Sequence, residues 1–339
     1  MVTIYDVAKK AGVSPSTVSR VLNKRGNVKE ETRKRVEQAC QKLNYVPNAN
    51  ASSLRKKNTK TLALIIPDIE NPFYTSVLKG FEGITGKRGY NTIVCNTDGN
   101  STKEEDFINT ILAKRIDGVA ITSVSRSIDH LNLVLNRNIP MILIDRKLNG
   151  LDVDIVCGDS FQGAIKLVNH LIGLGHQKIA IITAPVHLST SRERLEGYKT
   201  ALNRANIPID NNLIKIDKKS EGYSSERAYE MVKELLEQQE VPTAIFAGNN
   251  FMALGVYKAL REKGLKVPQD IAVVCFDDMN FIYQIEPFFT TVVQPAYTMG
   301  KMAAEILLNK IEGRYEDNKQ KVILQPQLII RKSCGYKTN

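Results

Sequence analysis

From Thr61 onward, short runs of β-branched and other apolar residues alternate with amphipathic stretches of about 10–16 residues, long enough for helices. The runs are LALII (62–66), TIVC (92–95), GVAIT (118–122), MILI (141–144), IAII (179–182), AIFA (244–247) and IAVVCF (271–276). Strands separated by helices pair in parallel, and helices cover both faces of their sheets. The alternation therefore predicts an α/β fold with parallel sheets, in which a ligand binds beyond the carboxyl ends of the strands.

The charge of the chain is concentrated before this alternating region. Residues 1–60 contain 14 lysines and arginines against four acidic residues, whereas the remaining 279 residues contain 33 against 32. A basic tail surrounded by solvent is one interpretation. Binding to DNA phosphates is favoured, because a protein that neutralises phosphates releases the counterions condensed around them.

Capping residues and apolar spacing predict three helices within this basic segment. Thr3 and Asp6 can form a capping box at the start of the first helix, which Gly12 ends. Ser14 can cap the second helix, and a third is expected over about residues 30–44. Two short helices joined by a glycine turn and backed by a third predict a helix-turn-helix, whose second helix enters the major groove. Arg20, on its exposed face, suits a bidentate contact with guanine, although a surface arginine is the alternative.

The segment TIYDVAKKAGVSPSTVSRVLN (3–23) resembles the headpiece of the lactose-repressor (LacI) family, and RKRV (33–36) and LNYVPN (43–48) continue the resemblance. The segment PNANASSL (47–54) is similar to the hinge helix of that family, in which a leucine at this position opens a base step in the minor groove. Such a short polar helix is expected to form only when the protein is bound to DNA. In the free protein the segment is expected to be a plain linker. We therefore assign residues 1–46 to the headpiece and residues 47–60 to the hinge. The predicted DNA-binding residues are Thr3, Ser14, Pro15, Ser16, Thr17, Ser19, Arg20, Asn23, Asn48, Ser53 and Leu54.

Further motifs follow in the order of the family: PDIENPFY (67–74), DSFQGA (159–164), RERLEGY (192–198), GNNFMALG (248–255) and TTVVQPAYTMG (290–300). This resemblance implies a two-lobed, periplasmic-binding-protein-like (type I) sensor that closes on a small effector. The expected first lobe comprises residues 61–160 and 293–321, and the second comprises 161–292 and 322–339. The implied effector-binding residues are Phe73, Tyr74, Asp145, Arg146, Arg194, Lys218, Asn249, Asn250 and Asp277.

Each of these assignments has a structural alternative. Phe73 and Tyr74 could be core residues at the start of a helix, and Asp277 could cap a turn. Arg194 could pair with Glu193 or Glu196 on a helix surface.

Two departures from the family bear on the charge of the effector. Asn250 stands where many relatives have an aspartate, and Lys218 and Lys219 stand where relatives often have an aromatic residue. Fewer acids and more bases around Arg194 favour an anionic ligand. The hypothesis is a sugar acid such as 2-keto-3-deoxygluconate or a uronate, and a neutral sugar is the alternative.

The sequence argues against other classes of protein. His130, His170, His176 and His187 are scattered, so neither a catalytic triad nor a metal site can be assembled, and no enzyme activity or cofactor is expected. No apolar run approaches the roughly 20 residues of a membrane span, and the first residues do not form a signal peptide. A cytoplasmic location is therefore expected, and a free-standing sugar-binding protein is the disfavoured alternative.

The expected function is a regulator, a repressor of a carbohydrate-utilisation operon, that binds double-stranded palindromic operator DNA as a homodimer. The segment after the last apolar run is too short for a tetramerising coiled coil. A catabolite-control regulator whose co-effector is a phosphorylated carrier protein remains the alternative.

Overall fold

The computed structural model describes residues 2–23, 26–45, 58–238, 241–279, 288–314 and 318–336, and the chain divides into two compact units, Met1–Thr59 and Lys60–Asn339. The predicted hinge residues Asn48, Ser53 and Leu54 lie outside the described residues.

The first unit contains the three expected helices, α1 (Ile4–Ala11), α2 (Pro15–Leu22) and α3 (Glu30–Lys42). The capping box at Thr3 is present, and Gly12 ends α1 in the left-handed conformation with a φ of 63°. The Ser14 side chain caps α2. The buried residues that these helices share form one small core and are Val7, Ala8, Ala11, Val18, Val21, Val36 and Ala39.

The second unit is built from alternating strands and helices. The strands are β1 (Thr61–Ile66), β2 (Asn91–Asn96), β3 (Gly118–Ile121), β4 (Met141–Ile144), β5 (Asp154–Gly158), β6 (Ile179–Thr183), β7 (Ile214–Ile216), β8 (Ala244–Ala247), β9 (Ala272–Phe276), β10 (Thr290–Val293), β11 (Lys321–Leu324) and β12 (Gln327–Ile329). The helices are α4 (Pro72–Thr85), α5 (Ser101–Lys114), α6 (Asp129–Leu135), α7 (Ser160–Gly173), α8 (Ser189–Arg204), α9 (Ser225–Leu236), α10 (Asn250–Glu262) and α11 (Ala296–Ile311). None of the helices described is long and apolar enough to span a bilayer.

These strands form two six-stranded sheets, each of which is the centre of one lobe. The first sheet has the order β11-β5-β4-β3-β1-β2 and is entirely parallel. The second has the order β12-β10-β9-β8-β6-β7 and is parallel except for β12, which runs antiparallel to β10. The α/β class predicted from the alternating runs is confirmed. Parallel strands also explain why the runs are continuously apolar, since both faces of such sheets are covered.

The chain passes between the lobes three times: after β5, between β10 and α11, and between β11 and β12. The last passage lies farther along the chain than the expected boundary between 321 and 322. Lys321 to Leu324 pair with Ile155 to Gly158, and Val322 and Leu324 pack against the first core. The whole of β11 therefore belongs to the first lobe.

Glycines allow two helices of the first lobe to approach each other closely. A Cβ at Gly80 of α4 would lie 2.1 Å from the carbonyl oxygen of Tyr297, and one at Gly300 of α11 would lie 1.9 Å from that of Val77. Neither distance is possible for a real Cβ, so the α4–α11 contact requires glycine at both positions. This packing fixes the start of α4, which carries Phe73 and Tyr74 to the cleft between the lobes.

Candidate functional site

The turn between α1 and α2 is held by the third helix. The Arg35 guanidinium donates hydrogen bonds from Nη2 to the carbonyl oxygens of Ala11 (2.5 Å) and Gly12 (3.2 Å). These carbonyls belong to the end of α1, where helical partners are missing. Helical spacing does not predict this tether, because it depends on the tertiary packing of α3 against the turn.

The exposed surface of α2 presents hydroxyls and one arginine. The Ser14 hydroxyl accepts a hydrogen bond from the Thr17 backbone N–H (3.2 Å) and lies 2.8 Å from the Ser16 hydroxyl. Ser16 and Arg20 are exposed, while Val18 and Val21 are buried on the opposite side. Among the residues described, Arg20 has no ion-pair partner, so its guanidinium is available to a ligand.

The other predicted residues of α2 have local structural roles as well. Pro15 occupies the first turn, where a missing N–H has no cost. The Asn23 amide donates to the Ser19 carbonyl oxygen (2.7 Å) and thereby closes the end of the helix. The N-terminus of α2, with its exposed hydroxyls, is the kind of surface that binds phosphate oxygens or base edges.

A cavity of about 190 Å³ lies between the two lobes of the second unit. It opens beyond the carboxyl ends of β1, β2, β4, β8 and β9, the position expected for a ligand in parallel α/β sheets. Its lining residues are Pro67, Asp68, Asn71, Phe73, Tyr74, Asp98, Gly99, Asp145, Arg146, Arg194, Ser220, Glu221, Gly222, Tyr223, Ser224, Asn249, Phe251 and Asp277. Seven of the nine predicted effector residues are among them, and Lys218 and Asn250 are not.

Arg194 is buried in the second lobe, with only 2% of its surface exposed. Its Nη1 donates to the Gly248 carbonyl oxygen (2.6 Å) and to the Tyr223 hydroxyl (3.3 Å), and its Nη2 lies 3.5 Å from Asp277 Oδ2. The guanidinium stacks 3.8 Å from the centre of the Phe276 ring. The alternative of a surface ion pair on α8 therefore does not describe this residue. Its Nε has no hydrogen-bond partner within the described structure.

Asp145 and Asp277 occupy equivalent places in the two lobes, directly after β4 and β9. Both are buried, and both have left-handed backbones with φ of 66° and 64°. Aspartate tolerates this conformation better than most residues, but it is uncommon and is often found at functional sites. The same backbone geometry thus directs one carboxylate from each lobe into the cavity.

The environment changes the pKa of both carboxyl groups. Burial raises the pKa of Asp145 to about 6, although Arg194 and Arg146 oppose the shift. Burial also raises the pKa of Asp277, opposed by Arg194 and by a hydrogen bond from Gln294 Nε2 (2.8 Å). Asp145 Oδ1 has no partner within the described structure, so it can accept a hydrogen bond from a ligand.

Arg146 is the second buried guanidinium of the cavity. Its Nη1 donates to the Ser123 carbonyl oxygen (3.1 Å), and its Nε has no partner among the described residues. The Ser123 loop is held by the buried Glu104 carboxylate, which accepts hydrogen bonds from the Ser123 hydroxyl (2.6 Å) and the Val124 N–H (2.7 Å). This loop therefore orients Arg146 toward the cavity.

Aromatic rings form the apolar walls. Phe73 and Tyr74 lie edge to face, with centroids 5.0 Å apart, and belong to both the cavity lining and the core of the first lobe. Tyr223 and Phe251 also line the cavity and were not predicted. Asn249 caps α10 through the Met252 N–H (2.9 Å) at the cavity wall.

Lys218 and Lys219 are exposed and do not line the cavity. The buried Asp217 carboxylate accepts hydrogen bonds from the Lys219 N–H (2.9 Å), the Ser220 hydroxyl and Arg227 Nε (3.1 Å). This tight turn places both lysines in solvent and directs the next residues into the cleft. Lys218 therefore does not line the cavity in this structure, and its contact with the effector stays a prediction.

Asn250 lies behind the cavity wall and joins the lobes. Its amide Nδ2 donates to Asn71 Oδ1 (3.2 Å) and to the Asp278 carbonyl oxygen (3.2 Å), and Asn71 Nδ2 lies 3.4 Å from Asn250 Oδ1. Lys147 of the first lobe makes a second link through its N–H to Ser189 Oγ (2.8 Å) and its Nζ to Glu193 Oε1 (2.5 Å). The lobes are thus in contact on both sides of the cavity.

Comparison with known proteins covers both units of the chain. The model of a family described as "Bacterial regulatory proteins, lacI family" matches residues 3–48, and that of a "Periplasmic binding protein-like domain" matches residues 168–334. The HTH-type transcriptional repressor PurR of Haemophilus influenzae (strain PittEE) is 36% identical over 337 residues, 98% of each chain. The chain belongs to the lacI family of bacterial regulatory proteins. It is a DNA-binding transcriptional repressor, not an enzyme, and the helix-turn-helix and the two-lobed domain are those of the family.

Solved structures of lacI-family proteins have the same fold. The lac repressor dimer bound to operator and the anti-inducer ONPF has a TM-score of 0.83 at 28% identity, covering 98% of this chain and 99% of that one. A lacI-family regulator from Enterococcus faecium with bound ribose has a TM-score of 0.70 at 29% identity, covering 80% of this chain and 98% of that one.

Proposed function

We propose that this repressor controls a carbohydrate-utilisation operon, and that its effector is a small, neutral, hydroxyl-bearing molecule bound between the lobes. The observation that carries the proposal is a compact cavity with three buried polar atoms that lack partners in the described structure: Asp145 Oδ1, Arg146 Nε and Arg194 Nε. A buried polar group without a hydrogen bond costs about 1–3 kcal/mol. The hydroxyls of a sugar can both donate to such an acceptor and accept from such donors.

The size of the cavity supports a compact ligand. Its volume of about 190 Å³ lies below the roughly 300–1,000 Å³ of pockets for drug-sized molecules. The aromatic walls supply flat apolar contacts, and the charged groups fix hydroxyl positions. A ring the size of a monosaccharide agrees with both features, and ribose is bound in the Enterococcus faecium relative.

The charge of the cavity favours a neutral ligand over the expected sugar acid. Five carboxylates line it, and the two cationic side chains among its lining residues are Arg146 and Arg194. The lysines that favoured 2-keto-3-deoxygluconate or a uronate are outside the lining. An added carboxylate on the ligand would be repelled by the excess of acids.

The DNA partner and the assembly are part of the same proposal. One helix-turn-helix binds a half-site, so a homodimer on a palindromic operator in the bacterial cytoplasm fits this headpiece. The relative solved with operator is a dimer. Effector and operator then influence each other reciprocally, since a factor by which one changes the affinity of the other applies in both directions.

The test is a thermal-shift screen of the full-length protein against matched neutral sugars, sugar acids, sugar phosphates and nucleobases. A ligand at 100 times its Kd stabilises the folded protein by about 2.7 kcal/mol, which is easily measured. We expect a neutral sugar to bind, and Arg194→Lys to weaken that binding. A nucleobase or sugar-phosphate ligand would contradict the proposed effector class. Failure of every small molecule, together with capture of a phosphorylated carrier protein, would instead identify a catabolite-control regulator.

A further inference from the structure

The two lobes also contact each other through residues that line the cavity. Asp98 and Gly99 of the first lobe and Ser220, Glu221 and Gly222 of the second all line the cavity. Asp98 follows β2 and precedes α5, whereas Glu221 lies between β7 and α9. These lining residues therefore come from loops of different lobes, which separate when the lobes separate.

Glu221 crosses from one lobe to the other. Its carboxylate accepts a hydrogen bond from the Ser101 backbone N–H at 2.8 Å and a second from the Ser101 hydroxyl at 3.1 Å. Ser101 is the first residue of α5, a helix of 14 residues. The N–H groups of the first turn have no partners within a helix and carry partial positive charge. The carboxylate of Glu221 thus occupies a place where an anion is favoured.

Other groups at this helix start form hydrogen bonds or ion pairs of their own. The Asn100 side chain accepts a hydrogen bond from the Lys103 N–H (2.9 Å), and Lys103 Nζ lies 2.5 Å from Asp98 Oδ2. The cation nearest the helix start is therefore already engaged by an acid of the same loop. An anionic ligand near this helix start would meet the carboxylates of Asp98 and Glu221, and the Ser101 N–H and hydroxyl are already bound by Glu221.

We propose that Glu221 determines the charge of the ligand that the cleft admits. Its carboxylate holds the donors at the start of α5 and repels ligands that carry a carboxylate or phosphate at this end. This inference rests on the proposed function, since it assigns a charge class to the ligand of the same cavity. The contact also joins the lobes, so separation of the lobes at this point breaks the Glu221–Ser101 hydrogen bonds.

The first experiment requires no ligand. Amide hydrogen exchange of the full-length protein is compared for the wild type, Glu221→Gln and Glu221→Ala, with Glu234→Gln as the control. Glu234 is an exposed acid on α9 of the same lobe. We expect Glu221→Ala to accelerate exchange at the start of α5 by about two- to fivefold, the effect of an anion at a helix N-terminus, and the control to leave it unchanged. Equal exchange in the wild type and Glu221→Ala would overturn the proposed contact.

The second experiment measures charge selectivity with matched probes. Glucose and glucuronate, galactose and galacturonate, and ribose are titrated into each variant. In Glu221→Gln the affinity for the acid relative to its neutral partner should rise about three- to tenfold, since one nearby repulsive charge is removed. An unchanged ratio, or a wild type that prefers the acid, would overturn the charge assignment. If the wild type binds a non-carbohydrate ligand, the proposed function fails, whereas the exchange experiment still decides whether Glu221 joins the lobes.

Discussion

Replacement of Asp145 by asparagine should stabilise the ligand-free protein at neutral pH. The Asp145 carboxyl is buried, and its pKa is raised from 3.8 to about 6, chiefly because burial disfavours the charged form. Asparagine has nearly the same shape and also tolerates the left-handed backbone at this position, where φ is 66°. The substitution therefore removes the buried charge with little change in backbone energy.

The magnitude follows from the shift in pKa. The pKa of Asp145 differs by about two units between the unfolded and folded states. At 1.36 kcal/mol per unit, this difference changes the free energy of unfolding by about 3 kcal/mol. Between pH 3.8 and 6 the folded protein binds a proton that the unfolded protein has lost, so stability falls as the pH rises through this range. Above pH 6 the loss is complete. Asp145→Asn removes this loss of stability. Its free energy of unfolding should therefore exceed that of the wild type by up to about 3 kcal/mol near pH 7.5 and approach the wild-type value below pH 4.

Urea denaturation at several pH values between 4 and 8 measures this difference. Asp152→Asn is the matched control, since the Asp152 side chain is 89% exposed and should show no comparable change. The reasoning would be refuted if Asp145→Asn had the pH dependence of the wild type, or if it were less stable than the wild type at pH 7.5. The same variant should bind the effector more weakly, because it loses a charged acceptor of ligand hydroxyls.

Three further substitutions test other parts of the structure. Arg20→Ala should weaken operator binding by about 1–3 kcal/mol in fluorescence anisotropy, with a smaller effect on nonspecific DNA, because a base contact supplies specificity. Gly80→Ala, whose Cβ would lie 2.1 Å from the Tyr297 carbonyl oxygen, should destabilise the protein by about 1–3 kcal/mol, whereas Gly173→Ala, in open space, should not. Asn250→Asp should separate the lobes and increase the radius of gyration in small-angle scattering, because a carboxylate would face two acceptor oxygens. An unchanged scattering curve would contradict the role of this amide in joining the lobes.

Much of the fold could be predicted from sequence because the strands are covered on both faces. Continuous apolar runs such as 62–66 and 244–247 coincide with β1 and β8 to within a residue. β5 was not predicted, although it is entirely buried. It begins at Asp154, a charged residue that a search for apolar runs does not select. Lys310 pairs with Asp154 at 2.6 Å, and this distant partner makes burial of the carboxylate possible.

The residues of the candidate site could be predicted from the sequence only where they directly follow a strand. Asp145 and Asp277 follow apolar strands directly, so their place at the cleft follows from the fold. The position of Tyr223 depends on the turn around Asp217, which is formed by side-chain hydrogen bonds that have no repeating spacing. Arg194 lies on α8 beside Glu193, and helical spacing alone gives it a surface partner. Its burial is set by the second sheet and the Gly248 carbonyl, which are distant in sequence.

The charged groups of the cleft affect the stability of the ligand-free protein and the binding of ligand in opposite directions. Two carboxylates and two guanidinium groups of the cavity lining are buried, and three of their polar atoms have no partner in the described structure. Such groups lower the stability of the ligand-free fold, while a ligand that satisfies them recovers this loss on binding. Substitutions that remove these charges should therefore raise the stability of the ligand-free protein and lower its response to effector. Because the two carboxylates occupy equivalent positions in the two lobes, a ligand between them gains hydrogen bonds from both only when the lobes are closed. Effector affinity and lobe closure are then two measures of the same interaction, and the operator response depends on how strongly the ligand favours closure.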